Sequence, residues 1–136
     1  MREIKTRTKI KIPFFDLDPM NIVWHGNYVK YIEIARCDFF KKINYTYDEM
    51  KKDGVMYPIA KMDFKFIKSA KFNDEIEVET ILKELEPAIM FKYIIYHNNE
   101  KILCANTMQI GVSIETGESL FEAPKKLKKA IDEFVE

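Results

Sequence analysis

Hydrophobic spacing changes period along this chain, and each change marks an element. From Ile4 to Phe14, isoleucines at 4, 10 and 12 stand between lysines, the spacing of a strand with one polar face. The segment FFDLDPMNIVWHGNY (Phe14 to Tyr28) breaks the pattern and reads as a loop. Tyr28, Tyr31, Ile32, Ala35 and Phe39 then fall at i, i+3, i+4, i+7 and i+11, a helical stripe that Val29, Ile34 and Phe40 widen. Such a helix is apolar around most of its circumference and needs wrapping. Asn27 is its candidate N-cap, with a side-chain oxygen able to accept a free N–H of the first turn.

Beyond a polar stretch (Asn44 to Gly54) the period falls to two. Ile76, Val78, Thr80 and Leu82 oppose Glu75, Glu77 and Glu79; Ile89, Phe91, Tyr93 and Ile95 make a second alternating run. Ile102, Cys104, Asn106, Met108 and Ile110 make a weaker third, and Pro58 to Phe72 carries a fourth. Asn98-Asn99 suits a tight hairpin, because asparagine tolerates positive φ. Pro124, followed by Leu127, Ala130, Ile131 and Phe134, opens a short lysine-rich amphipathic helix. The order is strand, long apolar helix, four consecutive strands, short helix. Consecutive strands imply an antiparallel sheet that must cover the helix if either is to bury its apolar face. The expected class is therefore α+β, a curled sheet around a central helix, in a single domain over residues 1–136.

Composition narrows the function classes. Aliphatic and aromatic residues make up 47% of the 136 and charged ones 32%, the profile of a packed globule. Lysine plus arginine and aspartate plus glutamate balance at 22 each, so no global field favours nucleic acid or a membrane surface. Cys37 and Cys104 have no metal or redox spacing and read as buried thiols of a reduced compartment; no metal site is expected. The opening MREIKTRTKIKI lacks an apolar signal region, and no window approaches the roughly 18 to 20 apolar residues of a membrane span. The expected location is the cytoplasm.

The loop before the helix holds the chain's only tryptophan, Trp24, beside one of its two histidines, His25, and two acids, Asp16 and Asp18. The first N–H groups of a helix lack internal acceptors and carry the positive end of its dipole, so a carbonyl placed there is polarised. A carboxylate such as Asp18 could attack that carbonyl carbon or deprotonate a water. Gly26, without a side chain, would let a substrate approach the main chain closely. This equipment suits a thioester, whose thiol leaving group has a pKa of about 8.5 and departs with little acid assistance. The structural readings stand beside it: Asp-Pro is a common turn start, Asp16 a turn or salt-bridge residue, Trp24 packing or a pocket wall. Glu33 and Arg36 read as an exposed ion pair on the helix.

DLDPMNIVWHGNYVKYIEIAR resembles the signature of the 4-hydroxybenzoyl-CoA thioesterase-like family of hotdog-fold acyl-CoA hydrolases, at Asp16, Asp18, Ile22, Val23, His25, Asn27, Tyr28, Glu33 and Arg36. DFKFIKSAKFNDEIEVET looks like that family's second and third strands. The resemblance implies a hotdog fold, a five-stranded antiparallel sheet around a long helix, and acyl-CoA hydrolysis without a cofactor. Asp18 would be the nucleophile or general base. The backbone N–H near His25 and Gly26 would polarise the carbonyl, with the His25 side chain close to the substrate and Asn27 and Tyr28 helping to position it; by their own chemistry, Asn21 and Trp24 are possible contacts. It further implies a homodimer or homotetramer with the active site at the dimer interface.

Some residues depart from the family pattern. Asn21 stands where glycine is usual, in a turn that asparagine can still adopt. Glu86-Pro87-Ala88-Ile89 places an acid where relatives often hold CoA phosphates, which leaves room for an acyl carrier protein substrate. Lys65, Lys68 and Lys71 are candidates for phosphate contacts, or simply solvated lysines. A non-catalytic acyl-thioester binder and a hydratase using His25 are the rival readings; His97 is expected in a hairpin.

Overall fold

The computed structural model describes residues 3–135; Met1, Arg2 and Glu136, which the expected domain bounds include, lie outside the described residues. Strand β1 (Ile4–Lys11) leads through a 3-10 turn at Phe14–Asp16 into helix α1 (Asn27–Lys42). Then come α2 (Tyr47–Lys52), β2 (Val55–Met56), β3 (Ile59–Phe66), β4 (Glu75–Glu84), β5 (Ile89–His97), β6 (Glu100–Gln109), β7 (Val112–Ser113) and α3 (Lys125–Val135). Five strands pair antiparallel in the order β1-β4-β5-β6-β3, while β2 and β7 form a separate ribbon. This is the hotdog architecture.

The register explains why the sheet can hold α1. Ile76, Val78, Thr80 and Leu82 of β4 stand opposite Ile10, Thr8, Thr6 and Ile4 of β1. On the other side Val78, Thr80 and Leu82 face Ile95, Tyr93 and Phe91 of β5, which face Leu103, Ala105 and Thr107 of β6. Side chains of one parity therefore make a continuous inner face, and α1 sets Tyr28, Tyr31, Ile32, Ala35, Phe39 and Phe40 against it. The Phe39 ring meets Phe91 edge to face at 4.9 Å. The outer face is salt-bridged instead: Arg7 pairs with both Glu77 and Glu79 across the β1–β4 ladder.

Several expectations change. On β6 the core-facing set is Leu103, Ala105, Thr107 and Gln109, the opposite parity to the run through Cys104 and Met108. A one-residue slip flips every side chain, and Ile102 and Ile110 at its ends suggested the wrong phase. Strand β1 ends at Lys11 and β3 at Phe66, both short of the apolar runs that contain them. Val29 and Ile34 of α1 are exposed, so the sheet covers less of the helix than its composition implied. Cys37 is exposed and Cys104 half-buried, not buried thiols.

Arg36 is the largest departure. It is not surface but 3% exposed, bonded to Glu33, to the Tyr47 hydroxyl at 3.0 Å and to the Tyr93 hydroxyl at 3.4 Å. Those partners satisfy a buried guanidinium that would otherwise be costly. Helix α2 itself arises inside the polar stretch, where Thr46 caps the N–H of Glu49 in a Thr-x-x-Glu box. The hairpin at Asn98-Asn99 forms as expected, with φ of 50° and 64°.

Phe39→Ala, at the centre of this packing, should lower unfolding free energy by about 3–5 kcal/mol. Cys37→Ala on the open side of the same helix should stay within about 0.5 kcal/mol of wild type. Urea denaturation followed by circular dichroism measures both.

Candidate active site

The loop between β1 and α1 is organised around Asp16. Its carboxylate is buried and takes hydrogen bonds from Lys30 Nζ at 2.5 Å and the Tyr31 hydroxyl at 2.6 Å. Its carbonyl accepts from Trp24 N–H at 3.0 Å and Asn27 Nδ2 at 2.8 Å. Burial first, then the Asp16 hydrogen bond, pushes the Tyr31 phenol far up, so it stays a proton donor at all ordinary pH. Asp16 is thus the salt-bridge residue the sequence suggested. Asn27, however, does not cap α1: the N-cap is Gly26, without a side-chain cap bond, and the Asn27 amide instead donates to Asp16.

From this anchor the chain makes a tight hairpin. Leu17 bridges Val23, Asp18 N–H donates to Ile22 O at 2.9 Å, and Asn21 N–H donates to Asp18 O at 2.9 Å. Pro19 occupies the position where its fixed φ favours the turn, and Asn21 follows at φ 63° as the left-handed residue of the bulge. Asparagine therefore does take the place of glycine. The returning arm is stitched to the segment after β3, with Val23 N–H on Ala70 O at 2.9 Å and Ala70 N–H on the Tyr28 hydroxyl at 2.9 Å.

Asp18 stands half-buried at the hairpin's tip. Its Oδ1 accepts the N–H of Met20 at 2.8 Å within its own turn, and among the described residues Oδ2 has no donor. It does not fold back onto α1. The returning arm runs straight into the start of the helix, where Asn27, Tyr28 and Val29 N–H turn back to Trp24, His25 and Gly26 carbonyls. Among the described residues, the N–H groups of His25 and Gly26 have no acceptor. One short segment thus offers a carboxylate oxygen and two uncommitted main-chain donors at the positive end of a 16-residue helix. The His25 ring is exposed and lies 5.2 Å from Trp24 and 6.4 Å from Phe66, centroid to centroid.

Residues 12–131 match the family model of the thioesterase-like superfamily. The chain belongs to that superfamily. Among its relatives, the acyl-CoA thioesterase YbgC of Helicobacter pylori is 32% identical over 77 residues, 57% of this chain and 56% of that protein. The 4-hydroxybenzoyl-CoA thioesterase of a Pseudomonas species is 30% identical over 77 residues, 54% of this chain and 55% of that one. These alignments span little more than half the length of either relative. The crystal structure of a DHNA-CoA thioesterase from Staphylococcus aureus superposes with a TM-score of 0.85 at 23% identity, covering 95% of this chain and 89% of that one, a likeness of fold.

Within this thioesterase fold the remaining candidates separate. Lys65, Lys68 and Lys71 are all exposed, and Lys68 pairs with Glu100, so they form no built cluster. Glu86 is not a free acid: it accepts Ala123 N–H at 2.7 Å and Lys128 Nζ at 2.9 Å, tying the β4–β5 loop to α3. Hydrogen bonding to Lys128 and Ala123 holds its carboxyl below the usual range. His97 sits at the β5–β6 hairpin, 3.5 Å from Asp74. Sequence reasoning missed the exposed rings around the loop, Phe14, Phe15, Phe66 and Phe72, because nothing in an apolar residue's identity says that it is left uncovered.

The two acids of the motif should separate experimentally. Asp16→Ala strands the buried Tyr31 hydroxyl, leaving the exposed Lys30 to water, and should lower unfolding free energy by about 1–3 kcal/mol. Asp18→Ala, which loses one exposed turn bond, should cost no more than about 1 kcal/mol. Paired chemical denaturation curves test the difference.

Proposed function

We propose that the protein hydrolyses acyl-CoA thioesters, releasing a carboxylic acid and free CoA, with Asp18 as nucleophile or general base. The observation that carries this is that one loop holds both Asp18 Oδ2 and the N–H groups of His25 and Gly26, all without a partner among the described residues. A thioester oxygen resting on those donors would gain stabilisation as negative charge builds on it. Asp18 would then attack the carbon directly or take a proton from the attacking water. The thiolate leaves unaided because its conjugate acid has a pKa of about 8.5. His25, Asn27 and Tyr28 position the loop and the substrate, with Asn21 at the turn. CoA enters as part of the substrate, and the reaction needs no further cofactor or metal. The names of the curated relatives, acyl-CoA thioesterases among them, support the same reading.

A second copy of the chain completes the proposed site. Strand β3 is a sheet edge, mostly exposed along its eight residues, and its Phe66 end adjoins His25 and Tyr28. Unpaired edges invite pairing, and antiparallel pairing of β3 with its own copy would cover this one beside each site. A dimer, or a tetramer built from it, is the expected assembly.

Incubating the protein with a panel of acyl-CoAs and following free thiol tests the activity. Wild type should cleave at least one member, and Asp18→Ala should lose roughly 10²- to 10⁴-fold in kcat. Equal rates in the two proteins would remove Asp18 from the chemistry. No cleavage of any member, with acyl-CoA bound and recovered intact, would make the protein a binder.

A further inference from the structure

The glycine at this site is not there for its backbone. Gly26 sits at φ −64° and ψ −24°, a right-handed helical conformation open to any L residue. What the missing side chain leaves is room. A Cβ on Gly26 would overlap the six-membered ring of Trp24 at Cζ3, Cη2 and Cε3. The indole therefore lies on the Gly26 main chain, yet it remains 51% exposed. The Trp24 backbone is pinned on both sides, its N–H on Asp16 O at 3.0 Å and its carbonyl under Asn27 N–H at 2.9 Å. A ring so held gains only part of the burial that makes a core tryptophan valuable, so its stability contribution does not account for its placement.

Its neighbours give a reason. The seat of the indole is the same peptide segment whose His25 and Gly26 N–H groups lack acceptors among the described residues. The His25 ring is beside it, and Phe66 lies beyond, against both His25 and Tyr28. The uncommitted donors thus belong to the segment on which this aromatic group packs. Covered by a bound acyl group, such an aromatic wall would shed water from the carbonyl beside it, and a hydrogen bond in drier surroundings is electrostatically stronger.

We infer that Trp24 is the substrate-contacting wall of the thioester subsite, that Gly26 is its seat, and that the ring packs against an uncharged, apolar acyl thioester. This rests on the thioester reading above and deepens it. It also changes the role expected of Gly26: the space the glycine leaves is taken by the protein's own indole, not kept open for substrate. Gly26 is accordingly a positioning residue acting through Trp24.

A double-mutant cycle separates the two roles, because an alanine at Gly26 keeps the N–H and fits the observed φ and ψ. Trp24→Ala should raise KM for apolar acyl-CoAs roughly two- to ten-fold with kcat little changed, the pattern of a contact made equally in ground and transition states. Gly26→Ala should raise KM similarly while Trp24 is present and add no further loss in the Trp24→Ala background. Trp24 is the only tryptophan, so its selectively excited emission reports the wall directly. It should shift to the blue on binding octanoyl- or benzoyl-CoA ketone analogues, in which a methylene replaces the thioester sulfur. In Gly26→Ala the free protein should emit further to the red. Equal damage from Gly26→Ala with and without the indole, an unchanged KM in Trp24→Ala, or emission indifferent to both analogues overturns the inference. Should the wild type cleave no thioester at all, the hydrolase reading falls, while the emission titration still decides whether Trp24 contacts an acyl thioester.

Discussion

The site depends on one buried carboxylate. Asp16 collects Lys30 and Tyr31 from α1 on its side chain, and Trp24 and Asn27 on its carbonyl, so that the loop and the first turns of the helix become one body. Burying a charge is costly unless it is paired and hydrogen-bonded, and here two side-chain donors meet it. The consequence is geometric. With Asp16 fixed, the Leu17–Val23 bridge fixes the hairpin, and the hairpin holds Asp18 clear of the helix while delivering His25 and Gly26 to its start. Asp18 keeps one carboxylate oxygen uncommitted among the described residues while Asp16, two residues earlier, is fully engaged.

The sheet imposes the second constraint. An inner face of one parity across β1, β4, β5 and β6 leaves α1 a single groove, and Arg36 enters it with its own hydroxyl partners, Tyr47 and Tyr93. Burial of the Tyr93 phenol pushes its pKa up to about 12, so it remains a neutral hydroxyl facing the guanidinium. Helix α1 is thereby held both by apolar packing and by a polar clasp, and its N-terminus is presented at a defined place. Precision at the reaction centre therefore originates in the core.

Much of this was legible in the residue pattern, for identifiable reasons. Helix α1 and the β4 and β5 runs carry strong periodicity, and Asn98-Asn99 carries its turn chemistry, so each could be placed directly. The phase of β6 could not, because Thr107 and Gln109 face inward while Cys104 and Met108 lie on the other parity. Helix α2 has only six residues and no amphipathic repeat, so the capping box that Thr46 and Glu49 spell is its one sequence signal. Within the site, the salt-bridge role of Asp16 and the free helix-start donors followed from local rules and the left-handed turn at Asn21 from the family pattern, whereas the burial of Asp16 did not. Whether Arg36 is inside or outside depends on what packs over α1, which spacing along one helix cannot say. The same holds for Trp24 and Gly26, whose contact is made by rotamers.

Chemically, the arrangement is minimal: one carboxylate and two main-chain donors, with the proposed thioester supplying a leaving group that needs no help. What decides the proposed chemistry is where those atoms stand relative to a substrate, which a crystal structure of Asp18→Asn holding intact acyl-CoA would reveal. The thioester oxygen should lie about 2.7–3.1 Å from the His25 or Gly26 nitrogen, with the carbonyl carbon facing the residue 18 side chain. A thioester bound with its oxygen away from both donors, or with its carbon shielded from residue 18, would contradict the account.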